Sequence, residues 1–352
     1  MPPIRLNPHR AVSPQRALIA LTLIKAGVSG TPSEAVRTFP DPIPDGQVLW
    51  IDAEDPTPEE LSDLKRRFSL DDYAIEDVTH QGQRPKIEDY KTNVFSVIHI
   101  PTLTKEGKDK TVDLYVFFQR NWCITIHSGT DEVVRAVDAR IRARGLAPLT
   151  LTPSADLLFY VFLDFAVDAY YPILDQIEDE IEEMDKKGID SFKTRVRKFD
   201  NVVYAMSRIG SVRERLMALR RSLTPTRDAI GSIMRGSVPF VADSSLRSFR
   251  DIYDHSFQLL ETLDSYRDRT SDVRDLYISL LTASTDNIIK LLTVVATIFL
   301  PLTLLAGIYG TNFTPGFFEP GSGVQLGFYA FLAGLALIAA GLLYSFKRAG
   351  WL

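Results

Sequence analysis

The sequence is poor in the residues that build disulfide frameworks, metal centres and phosphate loops. Cys123 is the single cysteine among 352 residues, which excludes an intramolecular disulfide framework and any zinc site made of several cysteines. The five histidines do not recur at metal-ligand spacing, and Gly27–Gly30 lacks the Lys-Ser/Thr pair of a Walker phosphate loop. The formal net charge is only −5, which argues against a general nucleic-acid binder.

Charge is nearly absent from the C-terminal part of the chain. Between residues 291 and 346, Glu319 is the only ionisable residue apart from tyrosines. Two apolar runs lie in this stretch, at 291–309 and 324–346, and each reaches the roughly 20 residues that a helix needs to cross a bilayer core. Two buried helices of a soluble protein are the alternative, but neither run has a polar face. We therefore expect two transmembrane helices, at 289–309 and 324–346.

The two apolar runs are bracketed by basic residues, Lys290 before the first and Lys347 and Arg348 after the second. Lys and Arg concentrate on the cytoplasmic side of a membrane. This pattern therefore predicts that both termini, including a basic tail at 347–352, are cytoplasmic. The loop at 310–323, with Glu319, is then expected on the outside.

Strand and helix signals alternate from residue 17 to about 150, which predicts a cytoplasmic α/β domain (1–150) with a mixed or antiparallel sheet. Helices are predicted at 57–68, where Thr57 and Glu60 match a capping box, and at 131–145. Strands are predicted at 17–24, 48–54, 93–100, 111–118 and 122–128, the last two as an antiparallel hairpin. A signal peptide is the alternative for the N-terminal run, but its apolar part has only about eight residues.

Strand signals vanish after Ser154, and a helical stalk region is predicted at 151–288. Its amphipathic patterns predict helices at 156–187, 191–223 and 245–292. The third has no Pro or Gly and continues into the first apolar run. One helix from about 243 to 309 would be roughly 100 Å long at 1.5 Å per residue. The chain is thus predicted to be an α+β membrane protein with a stalk and two C-terminal transmembrane helices.

One stripe of the first predicted transmembrane helix recurs at steps of three or four residues. It begins with a carboxylate, passes through apolar and small residues, and ends with a hydroxyl and a glycine: Asp286, Ile289, Thr293, Ala296, Leu300, Thr303 and Gly307. Packing against the second span is one interpretation of this stripe. The other is a pore lining, which would require several chains because two spans cannot enclose a water-filled path.

The residues after this stripe resemble a family signature. YGTNF at 309–313 is similar to the Tyr-Gly-Met-Asn-Phe signature of the CorA family of divalent-cation channels, with Thr311 in place of Met. Further blocks resemble the same family, at 75–90, 249–255, 296–310 and 347–352. The resemblance implies a funnel-shaped homopentamer in the lipid bilayer of the cell inner membrane. First spans would line its pore and second spans would surround them, and the protein would conduct divalent cations, most of all Mg²⁺, without being an enzyme.

The resemblance also implies roles for individual residues. At the outer mouth, the Gly310 carbonyls and Asn312 carboxamides would meet the ion. Mg²⁺ gives up its water reluctantly and prefers oxygen ligands. Asp286 would form an anionic inner ring, and Asp275 would lie near the cytoplasmic entrance. Regulatory Mg²⁺ is expected between neighbouring chains, at Asp77 with Asp251 and more weakly at Glu76 with Asp164.

Several alternatives remain at this stage. The acidic run at 175–185 is either a solvated helix face or an ion trap. Thr311 and the long loop at 314–323 leave Zn²⁺, Co²⁺ and Ni²⁺ as alternatives to Mg²⁺. A sensor or enzyme anchored by two spans is a further alternative, although the chain has no nucleophile–His pair, phosphate loop or kinase motif.

Overall fold

The computed structural model describes residues 18–25, 34–36, 39–80, 82–103, 109–128, 135–137, 139, 154–194, 199–310 and 324–351. The chain divides into two compact units. The first unit comprises Met1–Asp185 and Ser207–Asp272, and the second comprises Lys186–Met206 and Val273–Leu352.

The first unit contains a seven-stranded sheet in the order β2-β1-β3-β7-β6-β5-β4. Its strands are β1 Leu18–Lys25, β2 Glu34–Val36, β3 Gln47–Glu54, β4 Lys86–Asp89, β5 Val94–Leu103, β6 Asp109–Phe118 and β7 Trp122–His127. Strands β3 and β7 pair in parallel, and β6 and β7 form the predicted antiparallel hairpin. The five predicted strands and the mixed sheet are confirmed. The two edge strands β2 and β4, of 3 and 4 residues, were not predicted because such short segments hardly show a period of two.

Two short helices follow β3. The first, α1, spans Pro58–Phe68 and begins with the predicted capping box, in which the Thr57 N–H donates to the Glu60 carboxylate at 2.9 Å. The second, α2, spans Asp72–Thr79 and was not predicted. Of the helix predicted at 131–145, residues 135–137 and 139 are described, and they are helical.

The long helices depart from their predicted boundaries. Helices α3, Ala155–Asp168, and α4, Tyr171–Thr194, replace the single helix predicted at 156–187. Pro172 has no N–H to donate to the Asp168 carbonyl, so the helical ladder breaks there. Helix α5 spans Phe199–Met234 and continues through Pro225, so the helix predicted at 191–223 was predicted to end too early. Residues 191–194 belong to α4, and 195–198 lie outside the described residues.

Alternate residues of the strands build apolar layers on both faces of the sheet. On one face, Ile51 and Ile124 share a buried cluster with Leu61 of α1. On the other, Phe118 stacks on Phe159 of α3 with ring centroids 4.7 Å apart. The sheet is therefore the centre of the first unit, covered by helices on both sides.

Two helices carry the apolar runs. Helix α6 spans Leu246–Gly310 as one helix of 65 residues, and α7 spans Val324–Arg348. The most apolar windows of these helices are 6% and 0% buried, and both helices are long and apolar enough to cross a membrane. The segment Ala155–Asp190 is also long and apolar enough, but 67% of its window is buried inside the chain. We interpret that segment as part of a soluble core.

Candidate ion pathway and carboxylate sites

The predicted stripe lies on α6 and is exposed in the single chain. All seven positions from Asp286 to Gly307 are solvent-exposed. The hydroxyls of Thr293 and Thr303 donate to the main-chain carbonyls of Ile289 and Phe299, at 2.8 and 2.7 Å. Each hydroxyl hydrogen is therefore used inside the helix, and each oxygen keeps a lone pair that can accept a hydrogen bond.

A different face of α6 is covered within the second unit. The least exposed positions between 291 and 310 are Val294, Ile298, Pro301, Leu302 and Tyr309. Tyr309 stacks on Phe331 of α7 with ring centroids 3.9 Å apart and an angle of 8° between the rings. Ala296 and Leu300 border a cleft toward Ile338 of α7 but stay exposed. The packing of α7 therefore does not cover the stripe, which disfavours packing against the second span as its role.

The described part of the predicted outer mouth consists of one residue. Helix α6 ends at Gly310, while Thr311, Asn312 and Glu319 lie outside the described residues. A Cβ atom built at Gly307 or Gly310 would have no heavy atom of another described residue within 4 Å, apart from the backbone of its own stretch of helix. Packing among the described residues of one chain therefore does not require either glycine.

Two carboxylates mark the predicted inner end of the pathway. Asp286 is exposed on α6. Asp275 is 65% exposed, and its Oδ1 lies 3.1 Å from Nη2 of Arg274. The adjacent guanidinium weakens the negative potential that Asp275 presents, so Asp286 is the stronger candidate for an anionic ring.

Asp77 on α2 forms an ion pair inside its own chain. Its Oδ2 lies 2.7 Å from Nζ of Lys86 on β4, and the same ammonium lies 2.8 Å from Oε1 of Glu88. Burial lowers the pKa of Lys86, but hydrogen bonds to the two carboxylates outweigh it and raise this pKa above its ordinary value. Sequence reasoning missed this cluster, although Lys86 and Glu88 are two residues apart and share a face of any strand.

The other predicted regulatory carboxylates differ in exposure. Asp251 on α6 is 64% exposed, with His255 Nε2 at 3.9 Å from its Oδ1. Glu76 is exposed on α2, whereas Asp164 on α3 is only 6% exposed. No group of three or more His, Cys, Asp or Glu able to hold a metal ion occurs among the described residues of the single chain. Three or more such protein ligands on one metal ion would therefore have to include residues of a second chain or residues outside the described ones.

The acidic run at 175–185 forms ion pairs within the first unit. Glu178 accepts a hydrogen bond from the Tyr266 hydroxyl at 2.7 Å and lies 3.3 Å from Arg269. Two further pairs join Glu180 to Arg215 at 2.5 Å and Glu183 to Arg208 at 2.9 Å. Asp175, Asp179 and Glu183 are exposed, as expected for a solvated helix face. Arginines of α5 and α6 balance the charges of the three paired glutamates, which disfavours an ion trap.

Comparison with known proteins agrees with these features. A family model described as CorA-like Mg²⁺ transporter protein matches residues 45–348, which include most of the sheet and both apolar helices. The cobalt/magnesium transport protein CorA of Thermotoga maritima is 30% identical over 287 residues, which cover 81% of this chain and 78% of that protein. The putative metal ion transporter YfjQ of Bacillus subtilis is 33% identical over 310 residues, 88% of this chain and 91% of that protein.

Among solved structures, the complete CorA magnesium transporter from Methanocaldococcus jannaschii has the same fold. Its TM-score is 0.76 at 24% identity, and the alignment covers 95% of this chain and 98% of that chain. Both the sheet and the apolar helices therefore have counterparts in known proteins. The chain belongs to the CorA-like Mg²⁺ transporter protein family.

Proposed function

We propose that the protein is a homopentameric channel that moves hydrated divalent cations, most of all Mg²⁺, across the cell inner membrane. The observation that carries the proposal is the exposed stripe on α6, which α7 leaves uncovered. The stripe presents two hydroxyl oxygens that can each accept a further hydrogen bond, and Asp286 lies just before the apolar run. A ring of five first spans would turn these groups toward a water-filled path, and the names of the relatives support a metal ion as its cargo.

The stripe suits a hydrated ion better than a bare one. Mg²⁺ keeps its water shell, whose hydrogens point outwards. Thr293 and Thr303 offer hydroxyl lone pairs to those hydrogens, because their own hydrogens are bonded to the helix. Leu300 forms an apolar ring between the two hydroxyls, and Ile289 forms another before Thr293; such constrictions gate by excluding water.

At the outer mouth, a ring of Gly310 carbonyls and Asn312 carboxamides holds the hydrated ion. Neutral oxygen dipoles attract the shell without binding it too tightly to release. Thr311 adds a hydroxyl where the family signature has Met, and Glu319 lies in the same external loop.

At the cytoplasmic side, Mg²⁺ bound between subunits holds the channel closed. One site joins Asp77 to Asp251 of a neighbouring chain, and a weaker one joins Glu76 to Asp164. Carboxylate pairs between chains repel each other unless a cation bridges them. Loss of the ion therefore shifts the equilibrium toward separated subunits and an open pore.

The proposal is tested by ion flux into liposomes that contain the purified full-length protein. We expect Mg²⁺ flux in the wild type and severe loss in both Asn312→Ala and Asn312→Asp. Alanine removes the coordinating carboxamide, whereas aspartate adds a ring of negative charge that interacts by several kcal/mol in a partly desolvated mouth. Thr311→Met serves as the matched control and keeps Mg²⁺ flux. Near wild-type flux in a correctly assembled Asn312→Ala channel contradicts the proposed role of this loop.

Co²⁺ is the second candidate cargo, because the Thermotoga maritima relative is named as a cobalt/magnesium transport protein. The flux into the same liposomes is compared for Mg²⁺, Co²⁺, Ni²⁺ and Zn²⁺, each added separately outside. We expect saturable Mg²⁺ flux to exceed the others at equal concentration.

A further inference from the structure

A polar cavity lies in the first unit at the carboxyl ends of the parallel strands β3 and β7. Its volume is about 450 Å³, within the range of small-molecule sites. Asp55 directly follows β3 and Ser128 directly follows β7, and both line the cavity. Ligands of open α/β sheets bind at the carboxyl ends of their strands. None of the ion-pathway or regulatory residues proposed above lines this cavity.

Tyr115 lines the cavity from β6 and is 5% exposed. Its hydroxyl has no hydrogen-bond partner among the described residues. A buried hydroxyl without a partner costs free energy of folding, so a bound group is a physical reason to retain it. Burial, Asp113 and Asp77 raise the pKa of Tyr115 to about 12. The hydroxyl is therefore neutral near pH 7 and lies in a negative potential.

The charges of the lining favour a cation. Among the described lining residues, Asp55 and Asp113 carry carboxylates and Lys110 carries an ammonium, while His127 lies with its Nε2 3.2 Å from Asp52. Asp113 is held in place within the chain, since its Oδ2 accepts a hydrogen bond from the Gly82 N–H at 3.2 Å and its Oδ1 lies 3.4 Å from His99 Nε2. The carboxylate is thus oriented before any ligand binds.

The cavity also has an apolar wall, to which Leu61 and Val78 contribute. An inorganic divalent ion has no use for such a wall. No group of three or more His, Cys, Asp or Glu able to hold a metal ion occurs among the described residues. A negative lining beside hydrocarbon instead matches a molecule with a cationic end and an apolar body.

We propose that this cavity binds a small organic amine. Its ammonium group donates hydrogen bonds to the Tyr115 hydroxyl and to a carboxylate of the lining, and its hydrocarbon body contacts Leu61 and Val78. The ligand is chemically distinct from the metal ion that the channel moves.

The test uses the full-length protein in nanodiscs and ligand-observed NMR at constant ionic strength. Cyclohexylammonium is the probe, with cyclohexanol as its neutral analogue and cyclohexanecarboxylate as its anionic analogue. We expect only the ammonium to bind, and Tyr115→Phe to weaken its binding about tenfold. Tyr73→Phe, at an exposed tyrosine outside the cavity, is the matched control and leaves the affinity unchanged.

Two charge variants should change the affinity for the amine in opposite directions. Asp55→Asn weakens binding of the amine, and Asn tolerates the left-handed φ of 45° at this exposed position. Lys110→Gln tightens binding, because it removes the one lysine ammonium among the described lining residues. The melting temperature of Tyr115→Phe should not fall, since the removed hydroxyl has no described partner.

The proposal is overturned by equal affinity in Tyr115→Phe and Tyr73→Phe, or by absence of cyclohexylammonium binding in the wild type. Displacement of the probe by MgCl₂ at constant ionic strength also overturns it, because the cavity is then a site for inorganic cations. If cyclohexanecarboxylate binds more tightly than cyclohexylammonium and this binding is lost in Lys110→Gln, the ligand is an anion and the proposal is wrong.

Discussion

The ammonium of Lys86 lies between two carboxylates, so it competes with any cation that binds Asp77. Its distances of 2.7 Å to Asp77 and 2.8 Å to Glu88 are those of direct charged hydrogen bonds. In the proposed clamp, a divalent ion shared with Asp251 must weaken this pairing before it can bind. If this clamp exists, Lys86 helps to set the Mg²⁺ concentration at which it closes.

Replacing Lys86 by Met removes the competing charge and keeps most of the aliphatic stem near Phe95. We expect Lys86→Met to lower the Mg²⁺ concentration for half-maximal protection against protease by about two- to fivefold, as expected for a partly exposed ion pair. Asp77→Ala and Asp251→Ala should instead reduce Mg²⁺ protection and the inhibition of uptake by internal Mg²⁺. Unchanged protection in all three variants places the clamp at other residues.

The hydroxyl oxygen of Thr303 offers a second prediction for a single residue. Thr303→Val keeps the shape of the side chain but removes the oxygen that would accept hydrogen bonds from the hydrated ion. We expect Mg²⁺ flux in liposomes to fall about tenfold, from the loss of roughly 1 kcal/mol or more across the ring. Thr303→Ser should restore it. Thr297→Val, off the stripe on the same helix, is the control, and an equal loss there contradicts a specific role for Thr303.

At the scale of elements, Gly188 allows α4 and α6 to approach closely within the second unit. Gly188 is buried. A Cβ built there would lie 2.7 Å from Cδ2 of Leu276 and 3.4 Å from Cε2 of Tyr277. Close packing against α6 therefore explains why glycine stands at this position, although glycine is unfavourable inside a helix.

We expect Gly188→Leu to lower the free energy of unfolding by about 1 to 3 kcal/mol, because its branched side chain overpacks this contact. Gly210→Ala is the matched control, since no heavy atom outside the neighbouring backbone lies within 4 Å of its built Cβ among the described residues. The free energy of unfolding of Gly210→Ala should rise by up to about 1 kcal/mol, because alanine has a higher helix propensity than glycine. Thermal unfolding of both variants in detergent measures the difference, and equal melting temperatures rule out a packing role for Gly188.

Elements with a long, clear pattern were predictable from the sequence. The capping box located α1, and spacing of three and four residues located α6 and its stripe. The break before α4 was missed because the apolar periodicity continues through residues 169 and 170, while only the missing N–H of Pro172 interrupts the ladder. The pairing of Lys86 and the cavity at Tyr115 were missed for another reason. Both depend on side chains from separate strands and helices that the fold brings together.

At the scale of the whole molecule, the second unit exposes more apolar surface than a soluble monomer tolerates. Ile289, Leu292, Phe299, Leu300 and Leu304 are each more than half exposed on α6. Contiguous apolar surface of this kind is covered by lipid or by other subunits. The single chain therefore requires a bilayer, neighbouring chains or both to cover this surface.

We expect native mass spectrometry in mild detergent to give a particle of five chains, about 198 kDa from the 39.5 kDa chain. Cysteine-accessibility labelling should place residues added at both termini on the cytoplasmic side. The buried Cys123 provides the unreactive background for this labelling. A monomer or dimer as the only species contradicts the proposed pore, whichever ion is transported.

The parallel pairing of β3 with β7 determines how much of the chain must be synthesised before the sheet can form. β3 ends at residue 54, but its hydrogen bonds to β7 cannot form until residues 122–127 have left the ribosome. The sheet is then complete in sequence about 160 residues before the apolar run that begins at 291. At roughly 5 to 20 residues per second, this interval lasts on the order of 10 to 30 seconds. A nascent chain can thus fold its aqueous sheet before it presents any membrane segment to the insertion machinery.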